Sequence, residues 1–112
     1  MILHMHCTGS GRNVIMEYIN SLTEAEQIDA LSVLECMEKG EFDKLLFKQW
    51  EKKIYEVYFR KHNRIFYITA DQDNIYLLHA CRKQKNQTER NDKKIVISRA
   101  GELGQSLGKK FI

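Results

Sequence analysis

Arg60, Arg64, His79, Arg82, Lys83 and Lys85 fall within one stretch, residues 54–88, IYEVYFRKHNRIFYITADQDNIYLLHACRKQKNQT, in which apolar and polar side chains alternate. A period of two sends successive side chains to opposite faces of a strand, so a β-meander here collects cations and an imidazole on a sheet surface. That surface suits phosphate. An arginine fork holds two phosphate oxygens at once and stays charged at any physiological pH. A histidine whose reference pKa lies near neutrality takes or gives a proton. A lysine supplies a point charge, or a proton carrier where neighbouring cations depress its pKa.

Most of these residues also have a plainer reading. Arg64, at the start of a strand beside a hairpin, fits an exposed hairpin arginine equally well. His79 stands in an otherwise apolar run, YLLHAC, where a core imidazole bonded to a carbonyl would serve as well. Arg60 flanks a turn and, if paired across from Arg64, doubles the local charge; a charge at a sheet edge also discourages edge pairing. Lys83 and Lys85 share the parity of His79, and hence its face if the strand continues. Gln87 and Thr88 would then sit at a helix N-terminus whose amides favour an anion. The alternative for this segment is a solvated charge run ahead of a capped helix.

A second cluster, Lys48, Trp50, Lys52 and Lys53, mixes cations with an aromatic ring. An exposed Trp50 could stack a nucleobase, whereas a buried one is core. Tyr55, Tyr58, Tyr67 and Tyr76 follow strand periodicity and read as sheet packing. His4-Met5-His6-Cys7 looks like a metal tract, but on a strand His4 and His6 share one face and Cys7 the other, with no second ligand pair following. No metal and no cofactor is expected.

The order Tyr-Glu-x-x-Phe-Arg (Tyr55 to Arg60), Arg-Ile-Phe-Tyr (Arg64 to Tyr67) and Leu-Leu-His-x-x-x-Lys-x-x-x-Gln-Thr (Leu77 to Thr88) resembles the RelE/HigB superfamily of toxins, and more narrowly its phage-derived HigB-like branch. Upstream, GSGRNVIMEYINSLTEAEQIDALSVLECMEKGEF is similar to that branch's opening. The resemblance spans about residues 8–100. It departs from the branch at Glu89, where a Pro usually follows the Thr, and at Gln84 and Asn86, which dilute the lysine run; no Tyr follows Tyr76.

The resemblance implies an endoribonuclease that cuts mRNA in the ribosomal A site without a metal, together with a neutralising antitoxin, acidic or of helix-turn-helix type. Operator DNA would be bound only through that antitoxin. In such a reaction the ribose 2′-OH attacks the adjacent phosphorus in line and the 5′-oxygen leaves, so the protein must orient the groups, move two protons and neutralise the phosphorane. The resemblance places Arg64 near the scissile phosphate and matches Lys83 to the branch's most regular lysine. His79 and Lys85 complete the catalytic candidates; Lys48, Trp50, Lys52, Lys53, Arg60, Arg82, Gln87 and Thr88 are the candidates for holding RNA. A decayed toxin or phage regulator acting through protein binding is the alternative, and a sequence-specific DNA reader is disfavoured by the absence of a recognition-helix motif.

Composition sets the frame for these residues. A chain of 112 residues fits one domain with a modest core. It has no apolar run of about 18 residues and no signal-peptide pattern, so a cytoplasmic protein without a membrane partner is expected. Cys7, Cys36 and Cys81 are odd in number and widely spaced, which favours reduced, mostly buried thiols. The charge is polarised: residues 1–43 carry two basic and eight acidic side chains, a net of −6; residues 44–94 carry thirteen and six, a net of +7; the last eighteen add +2. Such a field draws polyanions to one side of the molecule.

The elements that must position the candidates follow from periodicity and caps. Ile2 to Cys7 begins a strand and Thr8–Gly11 breaks it. Val14, Ile15, Tyr18, Ile19 and Leu22 fall at helical spacing. Thr23-x-x-Glu26 is a capping box for a second helix that presents Ile28, Leu31, Leu34 and Met37 inward and stops at Gly40. Leu45 to Trp50 is an ambiguous entry to the sheet. Strands follow at 54–60, 64–70 and 75–82, with turns at 61–63 and 71–74. Asn86 or Thr88 caps a last helix running to about Leu103, with Ile95, Val96 and Arg99 inward. Residues 1–104 form the domain, and Gly101, Gly104 and Gly108 loosen 105–112 into a mobile tail. The class is α+β, a RelE-like fold with two N-terminal helices and a C-terminal helix on a small, mainly antiparallel twisted sheet; the helices are segregated to one face, and the other face is concave and wet.

Overall fold

In a computed structural model that describes residues 1–60, 62–83 and 90–112, strand β1 (Ile2–Met5) leads into helices α1 (Val14–Asn20) and α2 (Glu24–Glu38). A single 3₁₀ turn at Phe42–Lys44 then enters the meander β2 (Leu46–Glu51), β3 (Ile54–Phe59), β4 (Asn63–Thr69) and β5 (Asn74–Arg82), and α3 (Arg90–Leu107) follows. The five-stranded sheet has the order β1-β5-β4-β3-β2. β1 runs parallel to β5 and every other pair is antiparallel. The α+β class with two N-terminal helices and one C-terminal helix is as expected, and the ambiguous entry at 45–50 is a full edge strand.

Local chemistry explains the helix limits. Asn13 accepts a hydrogen bond from Met16 N as the N-cap of α1. Thr23 and Glu26 close the expected capping box of α2, satisfying amides that the first turn leaves without partners. Gly40, at φ 71°, ends the segment in a left-handed conformation that costs glycine little.

One layer of the core joins Ile15, Ile19 and Leu22 of α1 and its exit, and Ala30, Val33, Leu34 and Met37 of α2, to Val57, Phe59, Ile65, Tyr67, Ile75 and Leu77 of the sheet. The inward face of α2 is thus rotated from the one its spacing suggested. Ile28 and Leu31 are 61% and 53% exposed, while Ala30 and Val33 are buried. The small Ala30 lets α2 approach, and Ile28 and Leu31 fall on its outer side.

The helices are not segregated to one face. α3 packs on the opposite side of the sheet, where Val96 and Ala100 meet Ile54, Phe66, Ile68 and Leu78. Nor does α3 end at Leu103: Gly101 and Gly104 lie inside it. A Cβ on Gly104 would stand 2.6 Å from the Lys109 carbonyl, so this glycine permits the returning chain to approach closely. Lys109 N bonds the Gly104 carbonyl, and Phe111, 4% exposed, enters the α3-side core. The segment expected as a loose tail therefore contributes an apolar anchor.

All three cysteines are free, as expected, but not mostly buried: Cys81 is buried, Cys36 partly so and Cys7 exposed. Among the described residues, no helix is long and apolar enough to cross a membrane.

Candidate functional site

The strand register turns the meander into an ordered grid on the α3 side of the sheet. One row reads Leu46, Tyr58, Arg64, Cys81 across β2 to β5, and the next reads Lys48, Glu56, Phe66, His79. Beyond them the residues become apolar where α3 lies on them. Polarity thus rises from the covered end of this face to its open end, and the wet concavity expected over the whole face is confined to that end.

At the open end, Glu56 is fully buried and Arg64 is 3% exposed. Arg64 Nη2 donates to Glu56 Oε2, and the Tyr58 hydroxyl donates to Glu56 Oε1. The guanidinium carbon of Arg64 lies 5.0 Å from the Phe66 ring centroid and 5.8 Å from that of Tyr58. Two further cations converge from the solvent side: Lys48 Nζ and Lys83 Nζ stand 5.5 and 5.7 Å from the Tyr58 ring, in cation–π range. Lys48 Nζ also lies 3.5 Å from Glu56 Oε1. Tyr58, and secondarily Glu56, hold the Lys48 ammonium above its ordinary pKa, so it is a fixed charge and not a base.

His79 occupies the inner end of the second row. Its Nε2 is 2.7 Å from Asp92 Oδ1 in the first turn of α3, and Arg99 Nη1, which donates to the Leu78 carbonyl at 2.8 Å, is 3.4 Å from Nδ1. Burial, opposed by Asp92, lowers the His79 pKa below 6.5. The ring is therefore mostly neutral near pH 7. Because the folded state holds this proton less tightly than the unfolded chain, stability is fullest above about pH 6.5 and falls as pH drops through the lowered folded pKa. The urea midpoint should decline between pH 7.5 and 5, and His79→Gln should flatten that decline; an unchanged slope in the variant would assign the effect elsewhere, with His6, whose pKa burial also lowers, as the next candidate.

The other sequence-predicted residues are dispersed. Arg60 has φ 53°, which takes it out of the strand alternation, and it pairs with Asp29 of α2. Arg82 bonds Glu26 Oε2 at 3.1 Å. Glu26 also accepts from Asn63 and Thr23, and these bonds pull its pKa down to about 2. Both arginines thus tie the meander to the acidic helix and lie apart from Tyr58. Trp50 packs edge-on against Phe66 at 5.0 Å, on the α3-side core. Lys52 and Lys53 form the β2–β3 turn at the opposite end of the sheet. Lys85, Gln87 and Thr88 lie outside the described residues, as do both proposed caps of the last helix.

Lys52 and Lys53 border a cavity of about 550 Å³ lined by Phe42, Phe47, Tyr55 and Tyr67. This roomy space is apolar and lies on the α1/α2 face, away from the convergent cations. Its lining suits packing or an apolar partner better than phosphate chemistry.

Three site residues escaped the reading of the sequence: Tyr58, expected only as sheet packing, Glu56 and Asp92. Glu56 is the lone acid within β3, on the face shared with Tyr58, and that isolation was the available signal. Asp92 gave none, since its approach to His79 depends on α3 crossing the sheet. Asp92, His79 and Cys81 bring a carboxylate, an imidazole and a thiol within 4.8 Å of one another.

No curated protein matches the sequence. The family profile described as "Phage derived protein Gp49-like (DUF891)" matches residues 17–100, a span that contains the second half of α1, all of α2, all four strands of the meander and the first part of α3. The polar corner of Glu56, Tyr58, Arg64 and Lys83 lies wholly inside it, and on that match the chain belongs to the phage-derived Gp49-like (DUF891) family.

Proposed function

We propose that this chain is the toxin of a type II toxin–antitoxin pair, an endoribonuclease that cleaves mRNA on the translating ribosome by metal-independent attack of the ribose 2′-OH. Membership of the Gp49-like family and the resemblance to RelE/HigB toxins supply the class. The observation that carries the reading is the convergence of Lys48 and Lys83 on Tyr58, above the buried Arg64–Glu56 pair.

The roles follow from exposure. Lys48 and Lys83 reach solvent and neutralise the phosphorane, with Lys83 also giving a proton to the departing 5′-oxygen. Glu56 is sealed from solvent and takes a proton only by relay. The Tyr58 oxygen accepts the 2′-OH proton while its own proton passes to Glu56, and Arg64 fixes the carboxylate for that transfer. Arg64 moves from phosphate clamp to positioning residue. His79, separated from Glu56 by Phe66 and engaged by Asp92, orients the start of α3. The message is held chiefly by the ribosome, which is why so small a protein surface suffices. The partner is a cognate antitoxin, to be sought in the neighbouring small gene by its helix-turn-helix region; it carries the contact to operator DNA, and the pair works in the cytoplasm.

A second reading, a binding module that has lost catalysis, is favoured by the burial of Arg64 and by the apolar cavity on the other face. Inducible expression in a bacterial host, with and without the neighbouring small gene, separates the two when combined with primer extension on a translated message. Growth arrest with discrete cuts, relieved by the neighbouring gene, is expected. Normal growth and an intact message, from protein shown to be folded, would leave only the binding module.

A further inference from the structure

We infer that His79, Cys81 and Asp92 form a binding site for a zinc-class divalent transition-metal ion, which fastens the first turn of α3 to β5. His79 and Cys81 are two apart on one strand and both point toward α3, while Asp92 comes from the opposing layer. Their ligand atoms lie within 4.8 Å of one another, and His79 Nε2 is already 2.7 Å from Asp92 Oδ1. Ligand atoms around a tetrahedral zinc stand roughly 3.3–3.8 Å apart, so small rotamer adjustments admit the ion. Imidazole, thiolate and carboxylate suit zinc or cobalt(II), not magnesium or calcium, which prefer oxygen alone.

Protons occupy this place in the metal-free protein. Arg99 can only donate, so its approach to Nδ1 assigns the ring hydrogen to Nε2, facing Asp92. The Cys81 thiol also bonds Asp92 and is pushed up to about 12, chiefly by burial, so it is protonated. Binding an M²⁺ ion releases the Cys81 proton to solvent and shifts the imidazole hydrogen from Nε2 to Nδ1. Arg99 Nη1 then withdraws from Nδ1 while keeping the Leu78 carbonyl, to which it is already bonded at 2.8 Å. Two positive charges meet one thiolate and one carboxylate, which leaves the half-buried site neutral beside Arg64 and Arg99. Three protein ligands leave a fourth position for water. None of this draws on the ribonuclease reading.

The test is a cobalt(II) titration of the full chain under reducing conditions, followed by absorption. One equivalent should bind, with thiolate-to-cobalt charge-transfer bands that disappear in Cys81→Ser and Asp92→Asn and persist in a Cys7→Ser/Cys36→Ser double variant. Absence of the bands, their survival in Cys81→Ser, or their loss in the double variant would overturn the site; binding through Cys7 of the His4–Cys7 tract would show as the second and third of these together. Should the Cys81 variant fail to fold, alkylation of the wild-type chain with and without zinc, mapped by mass spectrometry, decides the matter. Zinc should slow modification of Cys81 at least about tenfold and leave Cys7 unchanged; equal slowing, or none, sinks the proposal.

Discussion

Arg64→Ala will lower the stability of this protein by about 3–5 kcal/mol, because it leaves the Glu56 carboxylate buried without its guanidinium. Glu56 is fully buried and Arg64 3% exposed, so water cannot take over the role of the lost partner without opening the sheet. A domain of this size has about 5–15 kcal/mol of stability in total. A large part of the effect of Arg64→Ala on any activity is then a loss of folded protein. Replacing both partners together with apolar residues of similar volume, Glu56→Met with Arg64→Met, removes the need for a counter-charge and should recover much of the loss. Urea unfolding of the two variants checks this. A midpoint for Arg64→Ala close to wild type would mean that Lys48 and the Tyr58 hydroxyl suffice to hold the Glu56 carboxylate, and the pair would lose its structural role.

Lys48→Met with Lys83→Met should reduce message cleavage by about 10²–10³-fold, the loss expected when preorganised charge at a developing phosphorane is removed. Stability should change by no more than about 1 kcal/mol, since Lys48 is exposed and Lys83 only partly covered. The matching control is Lys52→Met with Lys53→Met, which removes the same formal charge from the turn at the far end of the sheet. Quantitative primer extension on a translated message reads both. If the two double variants lose cleavage equally, net charge and long-range attraction explain the effect, and the corner around Tyr58 has no special part in it. Retention of cleavage by the Lys48/Lys83 variant would remove these lysines from the reaction altogether.

Much of the scaffold is legible in the chain because it depends on near neighbours. The capping box at Thr23 and Glu26, the stop at Gly40 and the alternation that puts Glu56 and Tyr58 on one face and Val57 and Phe59 on the other all require only a few consecutive residues. Arg60 shows the limit of such reading. Parity assigns it to the face of Tyr58, yet a positive φ at the end of the strand turns it out, and Asp29, 31 residues earlier, captures it. Gly104 shows the same limit differently: a glycine in a polar C-terminal stretch reads as a source of looseness until the chain returns and Lys109 needs the space.

By itself the sequence determined the order of elements, the α+β class, the polarised charge and the presence of phosphate-binding residue types in one meander. Periodicity and capping act over a few residues, and charge is simply counted. Only the tertiary structure decided which of those residues share a place. Placing α3 across the sheet buried one half of a face and brought Asp92 to His79 and Cys81. Strand register then set Glu56 beside Arg64 and left Lys48 and Lys83 over Tyr58. The acidic α2 took Arg60 and Arg82 out of the same set. Parity along a strand names a face but not the layer that covers it, and the partner of a charge is whichever opposite charge the fold brings within reach.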